Sequence, residues 1–168
     1  MADTIVPDDI FSIVLMVHNL FKGKKLTLAV AESCTGGLIS SCLTDLPGAS
    51  MFFDAGVVSY SKKVKETVLG VSPKTMEKYG MVSHETAREM AEGVRTMART
   101  DWSLSSTGNL GPDVIEGKEK GLIFLAACKE GKTFTMDLRL NGDRGSNKKD
   151  AALKALEFLV DVVNRNES

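Results

Sequence analysis

An apolar stretch followed by a glycine turn limits the fold of this chain more than any other feature. Residues 26–31 are almost wholly apolar, and Glu32-Ser33-Cys34-Thr35-Gly36-Gly37 comes directly after them. An apolar run of this length, without alternating polar residues, is typical of a strand that is covered on both faces. Because residues 38–46 have helical spacing, residues 32–37 should form a tight turn from a buried strand into a helix.

The rest of the chain alternates between predicted strands and helices. Strands are predicted at residues 26–31, 56–60, 102–106, 121–128 and 133–140. Lys129-Glu130-Gly131-Lys132 is typical of a hairpin between the last two, so at least one strand pair must be antiparallel. This order predicts an α/β fold, namely a three-layer α/β/α sandwich with helices on both faces of a mixed sheet of about five strands.

Capping residues indicate where the helices begin. Pro7-Asp8-Asp9 predicts the start of the first helix, Ser72 and Ser83 the starts of two helices before the third strand, and Ser146 the start of the last helix. Since no repeat, linker or low-complexity segment divides the chain, we expect a single domain over residues 1–168.

Composition and charge argue against several classes of protein. The chain has 21 Lys and Arg against 22 Asp and Glu, a formal net charge of -1, so nothing favours nucleic acid or a membrane surface as a partner. Its 3 cysteines are far apart and form no Cys-x-x-Cys pair, which argues against a metal site and for a reducing compartment. Without a signal peptide or an apolar run of transmembrane length, the expected location is the cytoplasm.

Ser33 is the first candidate for a catalytic role. As a nucleophile it would attack a carbonyl carbon while N–H groups of the Gly36-Gly37 region hold the oxyanion. Alternatively, Ser33 or Thr35 caps the following helix. Cys34 is a third candidate, because the N terminus of a helix lowers the pKa of a thiol. The residues alone leave these interpretations open.

A serine nucleophile needs a base, and the chain offers two histidines and a group of lysines. His18 and His84 lie on predicted helices, where ordinary surface or edge positions are expected. A lysine can serve instead when burial lowers its pKa toward neutrality. The candidate lysines after the second strand are Lys62, Lys63 and Lys65. Tyr60, which ends that strand, either positions such a lysine and relays a proton or packs on the rim.

Two glycine-containing loops are candidates for substrate binding. Thr107-Gly108 begins a polar loop that either offers N–H groups to a phosphate or is a surface turn. Arg144 lies in a second glycine turn. It either forms bidentate hydrogen bonds with a phosphate or carboxylate of the substrate, or is a surface arginine paired with Asp143 or a neighbour. Because ligands of α/β sheets gather at the carboxyl ends of strands, Ser33, Tyr60 and Thr107 should surround one cleft.

The apolar run Met51-Phe52-Phe53 bears on self-association. It fits either an interface of a homo-oligomer or the core of the domain. We expect the core, which leaves the oligomeric state open.

Taken in order, these residues resemble the CinA C-terminal-domain family of nicotinamide-nucleotide amidases. The matching segments are residues 31–37, Leu46-Pro47-Gly48-Ala49-Ser50, Gly56-Val57-Val58-Ser59-Tyr60-Ser61, Lys65, Tyr79-Gly80-Met81-Val82-Ser83, Gly111-Pro112 and Gly142-Asp143-Arg144. The similarity covers nearly the whole chain from about residue 26.

The resemblance implies hydrolysis of the carboxamide of nicotinamide mononucleotide to nicotinate mononucleotide and ammonia. By position, Ser33 is the nucleophile, Lys65 its general base and Tyr60 an assisting residue, while Arg144 belongs to the substrate site. The remaining candidates for substrate binding are Thr35, Gly36, Gly37, Thr107 and Gly108. The family implies a small-molecule nucleotide substrate and no metal or cofactor. Its larger members carry an additional N-terminal domain, and a chain of this length resembles the stand-alone form.

The chain departs from the family pattern on the substrate side. The family usually reads Thr-Gly-Ile-Ala-Gly-Pro-Gly-Gly, whereas Asp113 and Val114 take the last two positions here. A carboxylate at Asp113 would repel a phosphate. Lys148 replaces a common arginine. This substitution keeps the positive charge but loses the planar guanidinium that can donate two parallel hydrogen bonds to one anion. These changes motivate an alternative function, a member of the family that binds a nucleotide or a protein partner without turnover.

Overall fold

A mixed sheet of five strands lies at the centre of the computed structural model, which describes residues 9–167. The strands are β1 (Leu28–Glu32), β2 (Phe53–Val58), β3 (Trp102–Gly108), β4 (Leu122–Lys129) and β5 (Lys132–Arg139). Their order in the sheet is β2-β1-β3-β4-β5. β1 is parallel to β2 and β3, whereas β4 is antiparallel to β3 and β5. The predicted mixed sheet is therefore confirmed.

Helices cover both faces of the sheet, which confirms the three-layer prediction. The helices are α1 (Ile10–Lys24), α2 (Leu38–Thr44), α3 (Lys62–Leu69), α4 (Pro73–Tyr79), α5 (His84–Ala98) and α6 (Arg144–Asn166), with a 3-10 turn at Ala49–Met51. α1, α2 and α6 pack together on one face, and α5 packs on the other with α3 and α4 beside it. Within residues 9–167, no helix is both long enough and apolar enough to cross a membrane.

β1 is buried on both faces, as its apolar sequence predicts. Leu28 and Val30 belong to the core cluster on the side of α1, α2 and α6. Ala29 and Ala31 belong to the cluster on the side of α3, α4 and α5. Because side chains alternate between the two faces of a strand, one short apolar segment contributes to both cores.

The register of the three parallel strands brings their carboxyl ends to the same edge of the sheet. Glu32, at the end of β1, is aligned with Val58 of β2 and with Ser106 of β3. The segments that follow these strands therefore emerge side by side, as we expected for residues around one cleft.

Two predicted boundaries were wrong or lie outside the described residues. α6 begins at Arg144 and is capped by Asp143, whose carboxylate accepts the amide of Ser146 at 2.7 Å. Ser146 was predicted as the cap, but aspartate caps a helix as well as serine does and Asp143 comes earlier in the chain. Asp9 caps α1, and the predicted start at Pro7-Asp8 falls outside the described range.

The second strand begins three residues earlier than predicted and ends two residues earlier, which places Tyr60 beyond its end. The preceding run at residues 51–53 was expected in the core. That expectation is correct for Phe52, which is fully buried, and wrong for Met51, which is 71% exposed.

Gly93 allows α5 to pack directly against the end of α3. A Cβ atom at Gly93 would lie 1.9 Å from the carbonyl oxygen of Leu69, the last residue of α3. No methyl group fits at that distance, so α3 is held against α5 only while residue 93 is glycine.

We predict that Gly93→Ala lowers the free energy of unfolding by about 1–3 kcal/mol, because the two helices must separate to admit the methyl group. Gly23→Ala in α1 is the control, since nothing lies within 4 Å of its Cβ position and alanine is the better helix former. Urea unfolding of both variants measures the difference. Equal stability of the two variants would contradict the packing described here.

Candidate active site

Ser33 is the first residue after β1, at the start of a turn shaped by backbone hydrogen bonds. Its amide donates to the carbonyl of Ser106 at 3.0 Å, and its carbonyl accepts from the amide of Gly36 at 3.1 Å. Gly36 and Gly37 have φ values of 59° and 97°, a region that glycine adopts without steric cost. The glycines thus let the chain reverse while Ser33 stays at the end of the strand.

Glu32, which we did not single out from the sequence, organises this turn. Its side chain is fully buried, and its carboxylate accepts five hydrogen bonds. The donors are the hydroxyl of Thr35 at 2.6 Å, the amides of Gly37, Ile39 and Ser40 at 3.0, 3.1 and 2.8 Å, and the hydroxyl of Ser40 at 2.8 Å. The sequence signal was a charged residue at the end of an apolar strand.

Because Glu32 binds the amides at the start of α2, neither proposed hydroxyl caps that helix. The N-cap residue, Gly37, makes no side-chain capping bond. Thr35 donates to Glu32 and also shares a hydrogen bond of 2.7 Å with the hydroxyl of Ser106. The side chain of Ser33 makes a different contact, with a lysine of α3.

Lys65 and Ser33 form the central contact of the site. Lys65 Nζ donates to Ser33 Oγ at 2.8 Å and to the carbonyl oxygens of Ser59 and Tyr60 at 2.6 and 3.3 Å. Lys65 is 1% exposed, and Ser33 is 8% exposed. The structure therefore brings the candidate nucleophile and the candidate base into direct contact in a largely dry environment.

The position of Lys65 on α3 explains why it differs from its neighbours. Ser61 caps this helix by accepting the amide of Val64 at 3.3 Å. Lys62 and Lys63, in the first turn, are exposed, whereas Lys65 faces the sheet. Of the three candidate lysines, Lys65 alone is buried.

Burial changes the acidity of Lys65. Loss of hydration disfavours the ammonium form and lowers the pKa of Lys65 from 10.5 to about 8, while the nearby Cys34 and Glu116 act in the opposite direction. A pKa near 8 means that a useful fraction of the amine is neutral near physiological pH, as a general base requires.

A cavity of about 130 Å³ opens beside Ser33 and Lys65. Its lining includes six of the predicted site residues, namely Ser33, Tyr60, Lys65, Thr107, Gly108 and Arg144. Most of its remaining lining is apolar, from Met81, Val82, Leu110 and Ile115. Thr35, Gly36 and Gly37 do not line the cavity.

The amides expected to form an oxyanion hole are engaged within the turn. Gly36 donates to Ser33 and Gly37 donates to Glu32, which corrects the expectation that these two N–H groups face a substrate. The amides of Cys34 and Thr35 donate to no backbone carbonyl in the described chain. Of these two residues, Cys34 lines the cavity, so its amide is the candidate for binding an oxyanion.

Arg144 connects three of the candidate segments at the mouth of the cavity. Its Nη1 donates to the carbonyl of Gly111 at 2.6 Å, and its Nη2 donates to the hydroxyl of Tyr60 at 3.1 Å. The phenol of Tyr60 thus binds Arg144, and Tyr60 contacts Lys65 through its backbone carbonyl. Thr107 donates to the carbonyl of Met81 at 2.7 Å and so fixes one wall of the cavity.

Lys148 adds a second cation near the nucleophile. A Cβ atom at Gly36 would lie 3.3 Å from Lys148 Nζ, so this amine sits over the turn. Lys148 follows Arg144 by one helical turn of α6, and the two therefore share a face. Asp113, the departure that should repel a phosphate, is exposed on the loop between β3 and β4.

Neither histidine is part of the described site. His18 was expected at a surface or edge position, but it is 1% exposed and its Nε2 makes a 2.8 Å hydrogen bond with the carbonyl of Leu43. His84 lies 3.4 Å from Asp137 of β5. The Ser–His–Asp arrangement is therefore absent around Ser33 within residues 9–167.

Cys34 is unsuited to act as the nucleophile. Burial raises the pKa of its thiol from 9.0 to about 12, whereas the sequence suggested that a helix N terminus would lower it. Loss of hydration is the largest cause, and the nearby charge of Glu32 raises the pKa of this thiol further.

The chain is similar to one described family over most of its length. A family model described as the CinA C-terminal domain matches residues 11–163. A "Putative competence-damage inducible protein" of Thermoanaerobacter pseudethanolicus is 46% identical over 145 residues, which are 86% of this chain and 35% of that protein. A protein of the same description from Acetivibrio thermocellus is 49% identical over 135 residues, 80% of this chain and 33% of that protein. The chain thus spans about a third of the length of these curated relatives.

Solved structures with this fold correspond to the chain over nearly their full length. The competence damage-inducible protein A of Klebsiella pneumoniae superposes with a TM-score of 0.91 at 28% identity, covering 93% of this chain and 98% of that one. A CinA superfamily protein of Escherichia coli gives a TM-score of 0.90 at 32% identity, covering 96% of this chain and 93% of that one.

We predict that the lowered pKa of Lys65 makes stability depend on pH. Between about pH 8 and pH 10.5, Lys65 is protonated in the unfolded chain but not in the folded protein. The free energy of unfolding therefore rises with pH across this window. The unfolding free energy of the wild type relative to Lys65→Met should increase by roughly 3 kcal/mol from pH 8 to pH 10.5. Urea unfolding at several pH values measures it.

Lys62→Met is the matched control, because Lys62 lies exposed on the same helix. Its difference from the wild type should not change over this pH window. A pH-independent difference for Lys65→Met as well would show that Lys65 titrates normally.

Proposed function

The chain belongs to the CinA C-terminal domain family, and we propose that it is a serine–lysine amidohydrolase that converts nicotinamide mononucleotide to nicotinate mononucleotide and ammonia. The observation that carries the proposal is the 2.8 Å contact between Lys65 Nζ and Ser33 Oγ beside a cavity. A serine that touches a buried amine of lowered pKa has both a base and an open side from which a carbonyl can approach.

The two carbonyl contacts of Lys65 support its role as the base. A neutral amine has two N–H donors and one lone pair. If the donors point to the carbonyls of Ser59 and Tyr60, the lone pair points to Ser33 Oγ, the third group within hydrogen-bond distance. The carbonyls thus orient the amine to receive the serine proton.

In the proposed reaction, Ser33 Oγ attacks the carboxamide carbon and its proton passes to Lys65. The amide of Cys34, which lines the cavity, stabilises the oxyanion of the tetrahedral intermediate. When this intermediate collapses, Lys65 returns the proton to the departing nitrogen, and ammonia leaves. Water then attacks the acyl-enzyme, and Lys65 takes one of its protons. As the acyl C–O bond breaks, Lys65 passes this proton to Ser33 Oγ, and the acid product leaves.

The size of the cavity favours a substrate that inserts only one ring. Pockets for whole ligands usually have volumes of about 300–1,000 Å³, whereas this cavity has about 130 Å³. Its apolar walls suit the flat faces of a pyridine ring, and Ser33 and Lys65 lie where a carboxamide on that ring would be. The ribose and phosphate would remain outside, at the mouth.

The cations at the mouth support a phosphate on the substrate. The guanidinium of Arg144 has five N–H donors, and its contacts with Gly111 and Tyr60 leave some of them available. Lys148 lies one helical turn further along. A phosphate between the two would meet charge of the opposite sign, and Asp113 is not among the residues that line the cavity.

We predict that the wild type releases ammonia from nicotinamide mononucleotide. Ser33→Ala and Lys65→Met should each lower kcat by about 10³-fold or more, because the nucleophile and its base act together and neither works alone. Exposed residues of the same types provide controls. Ser41→Ala and Lys62→Met should keep wild-type rates, since neither side chain reaches the cavity. An enzyme-coupled ammonia assay measures all five proteins.

Full activity of Ser33→Ala would refute the serine mechanism. A wild type that binds the nucleotide in calorimetry but forms no product would instead favour the alternative of a binding protein without turnover.

We predict that Arg144→Met raises KM for nicotinamide mononucleotide roughly 10- to 100-fold, because a charge-assisted hydrogen bond contributes about 1.5–3 kcal/mol. KM for nicotinamide riboside, which lacks the phosphate, should change much less. Steady-state kinetics with both substrates measures the effect. Equal losses for the two substrates would place the phosphate elsewhere.

A further inference from the structure

Glu116, in the loop at residues 109–121, reaches across to the backbone of the segment at residues 80–82. Its Oε1 accepts the amide of Met81 at 3.0 Å, and its Oε2 accepts the amide of Val82 at 3.2 Å. Met81 and Val82 both line the cavity beside Ser33. We propose that Glu116 is a positioning residue that fastens this loop to residues 80–82 and thereby sets the width of the cavity for its substrate.

The backbone on both sides of this contact has an unusual conformation. Glu116 has a φ of 54°, a backbone angle that residues other than glycine rarely adopt. Gly80 has a φ of 86°, and a Cβ atom there would lie 2.5 Å from Glu116 Oε2. The loop therefore adopts an unfavourable backbone angle where the carboxylate makes its contact, and the opposite segment has a glycine where that carboxylate needs space.

The contact holds the wall of the cavity through the backbone amides of Met81 and Val82. Thr107 binds the carbonyl of Met81, so it fixes the wall from β3. Glu116 binds the amides from the opposite loop and places its neighbour Ile115 in the cavity lining. A turn closed by the bridge between Ile115 and Lys118 keeps the carboxylate pointed at the wall.

A second cavity, of about 320 Å³, lies on the far side of this contact. Its lining includes Lys78, Tyr79, Gly80, Glu116 and Lys118. Gly80 and Glu116 line this second cavity, whereas their neighbours Met81, Val82 and Ile115 line the first. The Glu116 contact therefore lies between the two spaces. Without it, the small cavity would widen toward the larger one, and a single ring would be held less firmly.

The charge of Glu116 gives the contact a second, measurable effect. Burial lowers the pKa of Lys65, and Glu116 is one of two groups that act in the opposite direction. The other is Cys34, whose thiol stays neutral because burial raises its pKa to about 12. Removing the charge of Glu116 should therefore lower the pKa of Lys65 further, which a purely structural contact would not do.

The first test measures how strongly the Glu116 carboxylate protects the amides of residues 81 and 82, and it does not depend on any activity. Amide hydrogen exchange of Met81 and Val82 should be at least tenfold faster in Glu116→Ala than in the wild type. Glu119→Ala is the matched control, because Glu119 is exposed in the same loop and its carboxylate forms an ion pair with Arg139 at 3.7 Å. Unchanged exchange in Glu116→Ala would overturn the proposal.

The second test measures the effect on substrate and relies on the proposed amidase function. KM for nicotinamide mononucleotide should rise about tenfold in Glu116→Ala, with a smaller change in kcat, and stay constant in Glu119→Ala. In Glu116→Gln, the midpoint of the rise of kcat/KM with pH should fall below its wild-type value, which we expect near the Lys65 pKa of about 8. An unchanged KM in Glu116→Ala would show that Glu116 does not set the width of the cavity.

The two tests separate failure of this inference from failure of the proposed function. If the wild type releases no ammonia, the amidase proposal fails. The exchange rates and the calorimetric affinity for nicotinamide mononucleotide then decide the role of Glu116. Faster exchange with weaker binding in Glu116→Ala supports the proposal, and equal binding in Glu116→Ala and Glu119→Ala overturns it.

Discussion

The buried carboxylate of Glu32 is the interaction on which the geometry of the site depends. A carboxylate removed from water costs several kcal/mol unless hydrogen bonds replace its hydration. Here five donors do so, and all of them belong to the turn after β1 and the start of α2. The turn can satisfy the carboxylate only in a conformation that brings these donors together. The backbone of Ser33, the next residue, is thereby held in place, and its hydroxyl is left to contact Lys65.

Strand register explains how residues far apart in the chain meet. Ser33 and Lys65 are separated by 32 positions. The parallel pairing of β1 with β2 aligns Glu32 with Val58, so Ser59 and Tyr60 emerge beside Ser33 and present their carbonyls there. α3 begins just after them and sends Lys65 back to the same point. The site is thus a property of two neighbouring strand ends and the short helix that follows one of them.

Local patterns made much of the fold predictable, and contacts that the residue pattern does not show account for what was missed. The apolar β1, the hairpin and most caps could be read from the sequence because each depends on neighbouring residues. For the last helix, Asp143 and Ser146 were equally good caps, and local pattern could not choose between them. Lys65 was singled out by family resemblance, since three nearby lysines look alike until α3 is packed. Glu32 and Glu116 were missed because most of their partners are backbone amides, which leave no mark on the sequence.

The capping of α2 by Glu32 also bears on what happens after the chemistry. The start of a helix is a natural place for an anion, and an amidase makes an anionic product from a neutral group. In this protein that place is already filled by its own carboxylate, one residue from the nucleophile. In the proposed reaction, a newly formed acid would therefore meet no competing helix terminus and would have a like charge behind the turn. If the chain is an amidase, this arrangement favours departure of the acid product.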